Sequence, residues 1–221
     1  MDRVLMTHSL LGSWLYALRE NPYEDMTTER DPMEEFKTTL ARKPTPVTPK
    51  MQMGIDFEDL VTAILQGKKE AAYCTETRDH QIDRKILPVQ DNPWYEAAAE
   101  IANQIQGGIL QYRANKSVSV AGLDLVLHGR LDALKAGHIY DIKFTRYERG
   151  KYFDSTQHPM YFELVPEAVD FTYLASNGSD VWTETYRRED TRSIYPVIGD
   201  FVSWLSSTGL LDLYKEKWGA K

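Results

Sequence analysis

Residues 123–145 read LDLVLHGRLDALKAGHIYDIKFT, and their alternation decides the fold. Leu123, Leu125, Leu127, Leu131 and Ala133 are apolar or small, while Asp124, His128, Arg130 and Asp132 lie between them. Further on, Tyr140, Ile142 and Phe144 alternate with Asp141 and Lys143. A period of two predicts two strands, each with one core face and one polar face. A short loop centred on Ala136-Gly137 sets Ala133 opposite Tyr140 and Leu131 opposite Ile142, which matches the apolar faces. The same register sets Asp132 opposite Asp141 and Arg130 opposite Lys143. Side chains directly opposed across a ladder have Cβ atoms about 4.5–5.5 Å apart, and like charges so placed repel. A divalent cation is the simplest compensation. Mg²⁺ or Mn²⁺ takes oxygen ligands, commonly carboxylates, waters and substrate phosphates. Lys143 follows Asp141 on the same face, about 6.6–7 Å along the strand. An ammonium there suits charge developing on a phosphate.

Working outward, residues 109–145 divide at Gly122 and Gly137 into three strands. Two more, near 169–175 and 181–187, flank an Asn177-Gly178 turn. Helical spacing marks Leu10, Leu11, Trp14, Leu15 and Leu18, with a cap at Thr7 or Ser9 and a stop at Asn21-Pro22. A short helix follows around 34–41, then an extended connector at Pro44, Pro46 and Pro49. Gly54 opens an apolar helical stripe of Phe57, Leu60, Val61, Ile64 and Leu65 that stops at Gly67. Residues 68–90 are polar and carry no clear period. Asn92-Pro93 starts a helix that ends at Gly107-Gly108. Another helix spans about 155–164, and Ile194, Val197, Ile198, Phe201 and Leu205 mark the last long one. This order predicts an α/β (α+β) fold with a mixed central sheet flanked by helices.

The 221 residues suit one domain, and 42% hydrophobic with 27% charged residues is an ordinary globular balance. The lone Cys74 excludes a disulfide framework, a four-cysteine zinc site and a four-cysteine iron–sulfur cluster. The most apolar stretch, 4–18, is interrupted by Thr7, His8, Ser9 and Ser13 and is too short to span a bilayer. The expectation is a cytoplasmic protein in a reducing compartment, without a membrane role. Twenty-six basic residues against 33 acidic ones give a net −7, so binding of nucleic acid cannot rest on bulk attraction. It needs local basic groups and bound metal.

An acid-x-Lys pattern by itself means little. It recurs at Glu35-Phe36-Lys37, within a helical pattern, and at Asp83-Arg84-Lys85, without a strand signal. Only Asp141-Ile142-Lys143 has an opposed aspartate on a predicted hairpin.

With Gly129-Arg130-Leu131-Asp132 and Tyr140-Asp141-Ile142-Lys143 in view, the chain resembles the PD-(D/E)XK nuclease superfamily, in particular its RecB-type and lambda-exonuclease-type (YqaJ-like) branches. Gly54-Ile55-Asp56-Phe57-Glu58 resembles the first motif of that family. It carries a glutamate, as lambda-exonuclease-like members do, where RecB-type members often carry histidine. Gln157-His158-Pro159-Met160-Tyr161 resembles the Q-x-x-x-Y motif. The resemblance implies a restriction-endonuclease-like fold over a single domain, 1–221. Within it, 1–50 would be an N-terminal helical segment, 54–188 the catalytic core and 191–221 C-terminal helices. It also implies Glu58, Asp132, Asp141 and the carbonyl of Ile142 as ligands of Mg²⁺ or Mn²⁺, and Lys143 as catalytic lysine. Gln157 and Tyr161 would lie near the substrate phosphate or order the site. The implied activity is metal-dependent cutting of DNA, most simply by an exonuclease of recombination, repair or phage DNA processing. Ring-forming relatives make an oligomer possible without specifying an interface.

Lys143, Arg146, Arg149 and Lys151 against Glu148 give a local +3, interleaved with Tyr147, Tyr152 and Phe153. Together with Arg130 they are candidates for contact with a nucleic-acid backbone, and the aromatics for base stacking. His8, His80, His128, His138 and His158 lack paired metal spacing, and His128 reads as a polar-face residue. Two other readings stay open: a nuclease fold that binds without cutting, and an interaction domain in which the two aspartates are incidental.

Overall fold

The computed structural model describes residues 3–19, 31–79 and 81–220; the stop at Asn21-Pro22 and His80 lie outside them. The chain forms β1 (Val4–Met6), α1 (His8–Leu18), α2 (Pro32–Leu40), α3 (Pro49–Leu65), β2 (Glu70–Glu76), β3 (Ile82–Pro88) and α4 (Tyr95–Ile105). There follow β4 (Ile109–Val120), β5 (Leu123–Lys135), β6 (His138–Phe144), α5 (Gln157–Leu164), β7 (Asp170–Ser176), β8 (Val181–Arg187), α6 (Tyr195–Ser207) and α7 (Leu211–Lys217). The result is a mixed α/β fold with helices on both faces of a central sheet.

The sheet runs β1-β5-β6-β7-β8, with β4 along the other edge of β5. β1 and β5 are parallel, as are β6 and β7; the remaining pairs are antiparallel. The parallel step from β6 to β7 passes through α5, as a crossover must. One core joins α1, α2, α5, α6 and α7 to one face, through Leu10, Leu11, Phe36, Tyr161, Phe201 and Tyr214. A second joins α3 and α4 to the other face, through Phe57, Leu60, Ala98 and Ile101.

Local chemistry explains most boundaries. Thr7 caps α1 by accepting the Leu10 N–H at 3.2 Å. Thr48 caps α3 and Pro49 takes its first turn, so this helix begins before Gly54, the start that the apolar stripe predicts. Glu58 therefore lies in the helix interior, not near its start. Asn92 accepts the Trp94 N–H at 3.0 Å, and the regular helix begins at Tyr95.

Three expectations need correction. The strand β1 lies in the 1–50 segment expected to be helical; three residues carry too little pattern to mark a strand. β2 and β3 form a two-stranded sheet where no period was visible, because β3 is largely exposed. The hairpin is anchored instead by Arg84, whose Nε and Nη2 reach Asp56 at 3.0 and 2.9 Å. Asp83-Arg84-Lys85 thus does lie on a strand, but it faces Thr75, Cys74 and Tyr73 rather than an acid. Finally, β6 has no free polar face. Ile139 packs in the first core while Tyr140, Ile142 and Phe144 pack against the second. A strand paired inside a sheet covered on both sides is buried on both sides.

On the edge away from β4, β5 is paired at two separate places. Leu125 to Leu127 pair with β1, and Ala133 to Lys135 pair with β6. Residues 128–132 have no strand neighbour there. Tyr161 occupies this gap: its hydroxyl donates to the Arg130 carbonyl at 2.8 Å, and its ring lies against Gly129. A methyl on Gly129 would overlap Tyr161 Cε1 and stand 2.7 Å from Leu164 Cδ1. Gly129→Ala should therefore cost about 1–3 kcal/mol in denaturant unfolding. Gly199→Ala, in α6 with its nearest neighbour at 4.0 Å, should be neutral or stabilising. Equal midpoints for the two variants would contradict this packing.

Candidate active site

The expected register is present but stops short of the acids. Ala133 pairs with Tyr140, Leu134 with Ile139 and Lys135 with His138, and there the ladder ends. Asp132 and Asp141 stand at the next position, where the strands part, so they are not a ladder pair; nor is Arg130 paired with Lys143. Asp132 Oδ2 instead accepts the Ile142 N–H at 2.8 Å. On the other side, the β4–β5 ladder skips Gln111 and Asp132, and Gln111 has φ +54°. The apolar side chains of β5 pass from the first core at Leu131 to the second at Ala133. Asp132 thus sits at a bulge-like kink, a common device for re-aiming a side chain.

Asp141 is 4% exposed. Its Oδ1 accepts a hydrogen bond from Gln157 Nε2 at the start of α5. Its Oδ2 is buried, and Lys143 Nζ stands 2.7 Å from it as its ion-pair partner. Glu58 projects from α3 and accepts from Gln111 Nε2 at 2.6 Å. Asp56, two residues earlier and fully buried, is committed to Arg84 and to Gln52.

These groups act on one another electrically. Burial, then Asp141 and Glu58, push the Asp132 carboxyl up to about 8 against the Ile142 hydrogen bond. Burial also raises Glu58, with Asp141 and Asp59 adding to it, while Gln111 and Arg130 pull the other way. Burial alone would lower the Lys143 ammonium, but Asp141, Asp132 and Glu58 outweigh it and hold it above its ordinary value. Lys143 is therefore a fixed cation.

Sequence patterns gave no sign of two further members. His8, at the start of α1, lies within the field of Asp141 and Lys143, and burial pulls its imidazole down to about 4. Its ring faces Tyr161 at 5.4 Å, and its carbonyl accepts from Thr156 at 2.9 Å. Gln111 is the other, distinguished by its left-handed backbone and its bond to Glu58. His8 and Gln111 reach the site only by the fold, so no local motif could mark them. His8, Tyr16, Arg19, Lys143, Lys151 and Gln157 line part of a cleft of about 430 Å³.

Gln157 touches Asp141, whereas Tyr161 reaches the Arg130 carbonyl and orders the strand. Lys151 closes back on Thr145 and on the Arg146 carbonyl, at 2.6 and 2.9 Å. Arg146 and Arg149 project from the exposed loop and are not drawn to the acids. The aromatics expected to stack on bases mostly stack on protein rings: Tyr147 on Trp182 and Tyr152 on Tyr173, with Phe153 70% exposed.

Among the described residues, no three His, Cys, Asp or Glu side chains converge closely enough to grip a metal. Glu58 and Asp132 are instead engaged by the Gln111 side chain and the Ile142 N–H. The excess of carboxylate nevertheless suits a hard cation: burial, Asp141 and Glu58 push the Asp132 carboxyl up, with Lys143 as the ammonium among them.

No family model matches the chain, and no curated protein matches it. Among solved structures, the one titled "Crystal structure of SSO0001" is similar with a TM-score of 0.38 and 14% identity, over 49% of this chain and 55% of that one. The similarity thus spans about half of each chain.

The raised Asp132 carboxyl has a thermodynamic consequence. The folded chain holds this proton more tightly than the unfolded chain, whose carboxyl has its ordinary value of 3.8. The stability so contributed is complete below that value and is lost as pH rises towards 8. His8 and His158, both pulled down to about 4 by burial, act in the opposite sense, but only below their ordinary value of 6.5. In metal-free buffer the melting temperature should fall between pH 6.5 and 8, and Asp132→Asn should flatten that slope. An unchanged slope in the variant would remove the carboxylate repulsion from the account.

Proposed function

We propose that the protein is a metal-dependent nuclease that hydrolyses phosphodiester bonds in DNA on a restriction-endonuclease-like fold. One observation carries this reading. Asp132, Asp141, Glu58 and Lys143, from a parted strand pair and a neighbouring helix, share one electrostatic site in which three carboxylates face one ammonium, 2.7 Å from the buried Asp141.

Asp132 and Asp141 would hold a Mg²⁺ or Mn²⁺ ion, with Glu58 and the carbonyl of Ile142 beside them. The Ile142 N–H points to Asp132, and in an extended strand the carbonyl of the same residue leaves on the same edge. Such an ion supplies an acidified water and positive charge against the phosphate. Gln157 fixes the orientation of Asp141 through Oδ1 and leaves Oδ2 towards Lys143. Lys143 keeps its proton and places an ammonium where charge develops on the phosphate. Tyr161 holds open the parting of the strands by satisfying the Arg130 carbonyl. The exonucleolytic mode, and a role in recombination, repair or phage DNA processing, rest on the motif resemblance alone.

A binding module without hydrolysis is the second reading. It is favoured by the hydrogen bonds that engage Glu58 and Asp132 and by the lack of a converging acid cluster among the described residues.

Linear and circular DNA incubated with the protein and Mg²⁺ or Mn²⁺ should be degraded, and chelator should stop it. Lys143→Ala should lower the rate at least 100-fold, the scale on which one preorganised electrostatic group acts, while leaving Mn²⁺ binding by calorimetry largely intact. Asp141→Asn should abolish both. Intact substrates together with no detectable Mn²⁺ binding would falsify the hydrolytic reading. Intact substrates with Mn²⁺ bound would favour the binding module.

A further inference from the structure

Arg113 on β4 stands directly opposite Arg130 on β5. Both are exposed. Two cations facing each other across a ladder destabilise it. Among the described residues neither has a carboxylate at ion-pair distance. The field of Arg130 reaches Glu58, so the pair borders the acidic site.

The pair is one rung of a longer row. Asn115 faces His128 at the next same-face position, and Ser117 faces Val126 after it. His128 Nδ1 and Asn115 Oδ1 are 2.6 Å apart. A third guanidinium joins from the start of β1, where Arg3 Nη1 donates to Ser117 Oγ at 3.3 Å. The row holds no acidic strand residue between Asp132 and Asp124. A protein of net −7 thus gathers three arginines on one bare strip that begins at its carboxylates. Rungs on one face are separated by about 7 Å, two residues of strand rise. That is comparable to one phosphate-to-phosphate step of a nucleic-acid strand.

We propose that Arg113 and Arg130 clamp a backbone phosphate of DNA next to the scissile one, and that the row through Asn115, His128 and Arg3 carries the strand away from the cutting site. This deepens the nuclease reading and rests on it. Paired guanidiniums bind a phosphate through several charge-assisted hydrogen bonds, and the phosphate cancels their repulsion. The contacts are to backbone, so the row fixes position and carries no base preference.

The experiment compares Lys143→Ala with Lys143→Ala carrying Arg113→Gln and Arg130→Gln. Binding of a fluorescein-labelled single-stranded oligodeoxynucleotide and of its duplex is followed by anisotropy in EDTA, so neither metal nor turnover contributes. Loss of the clamp should weaken binding at least tenfold at low salt. It should also reduce the slope of log K against log salt by about 0.7 for the single strand and about 0.9 for the duplex, the values for one phosphate. Circular dichroism and melting temperature report whether the variant is folded. If it is not, Arg113→Gln alone should weaken single-strand binding about threefold at low salt and reduce the slope by less than about 0.7. Affinities within twofold and unchanged slopes in a folded variant overturn the clamp. Mg²⁺-dependent cutting by the wild type is scored separately. Persistent cutting with unchanged slopes removes only the clamp. A reduced slope without any cutting keeps the clamp and removes hydrolysis.

Discussion

The ladder between β5 and β6 ends at Ala133 and Tyr140, and from that point the two strands part. A continued ladder would have spent the Ile142 N–H on β5 backbone and set the aspartates side by side. Parting leaves that N–H to Asp132, leaves the Arg130 carbonyl to Tyr161, and opens the place where Asp141, Lys143 and Glu58 act on one another. The kink at Gln111 and Asp132 is the matching distortion on the far edge of β5. Gly129 belongs to the same arrangement, because only a residue without a side chain admits the Tyr161 ring against β5.

Burial sets the electrostatics. Carboxylates from two strands and a helix share a small region with one ammonium, and removal from water favours their neutral forms. Lys143 is the internal counter-charge, held cationic by the acids around it. A single positive charge does not offset three carboxylates, and the remaining repulsion adds to burial in pushing the Asp132 carboxyl up. On the bare face of β4 and β5 the imbalance has the opposite sign, with arginines opposed and no acid between them. The two imbalances lie side by side, which is the pattern a polyanion and a cation together would neutralise.

The strands from 109 to 144 and the β7–β8 hairpin were legible because alternation and turn residues agree there. The hairpin register was legible from Ala136-Gly137 alone, and it places Asp132 and Asp141 at one level. Its end was not legible, since a ladder stops where twist and a neighbouring helix pull strands apart, and neither is written in local spacing. β3 was invisible because its side chains are largely exposed, so that it is held by its ladder with β2 and the Arg84–Asp56 ion pair rather than by an apolar face. The aromatic residues of the loop after β6 looked ready to stack on bases, but Tyr147 and Tyr152 found protein partners.

Sequence alone therefore determined the element types, the core stripes of the long helices and the level at which two aspartates and a lysine meet, because period and turn chemistry are local properties. Tertiary structure alone decided that both faces of β6 are covered and that His8 and Gln111 join the site. It also decided that Tyr161 fills a gap beside Gly129 and that Arg113 confronts Arg130. Each of these depends on bringing together segments distant in the chain, and that is settled by packing the two cores against one twisted sheet.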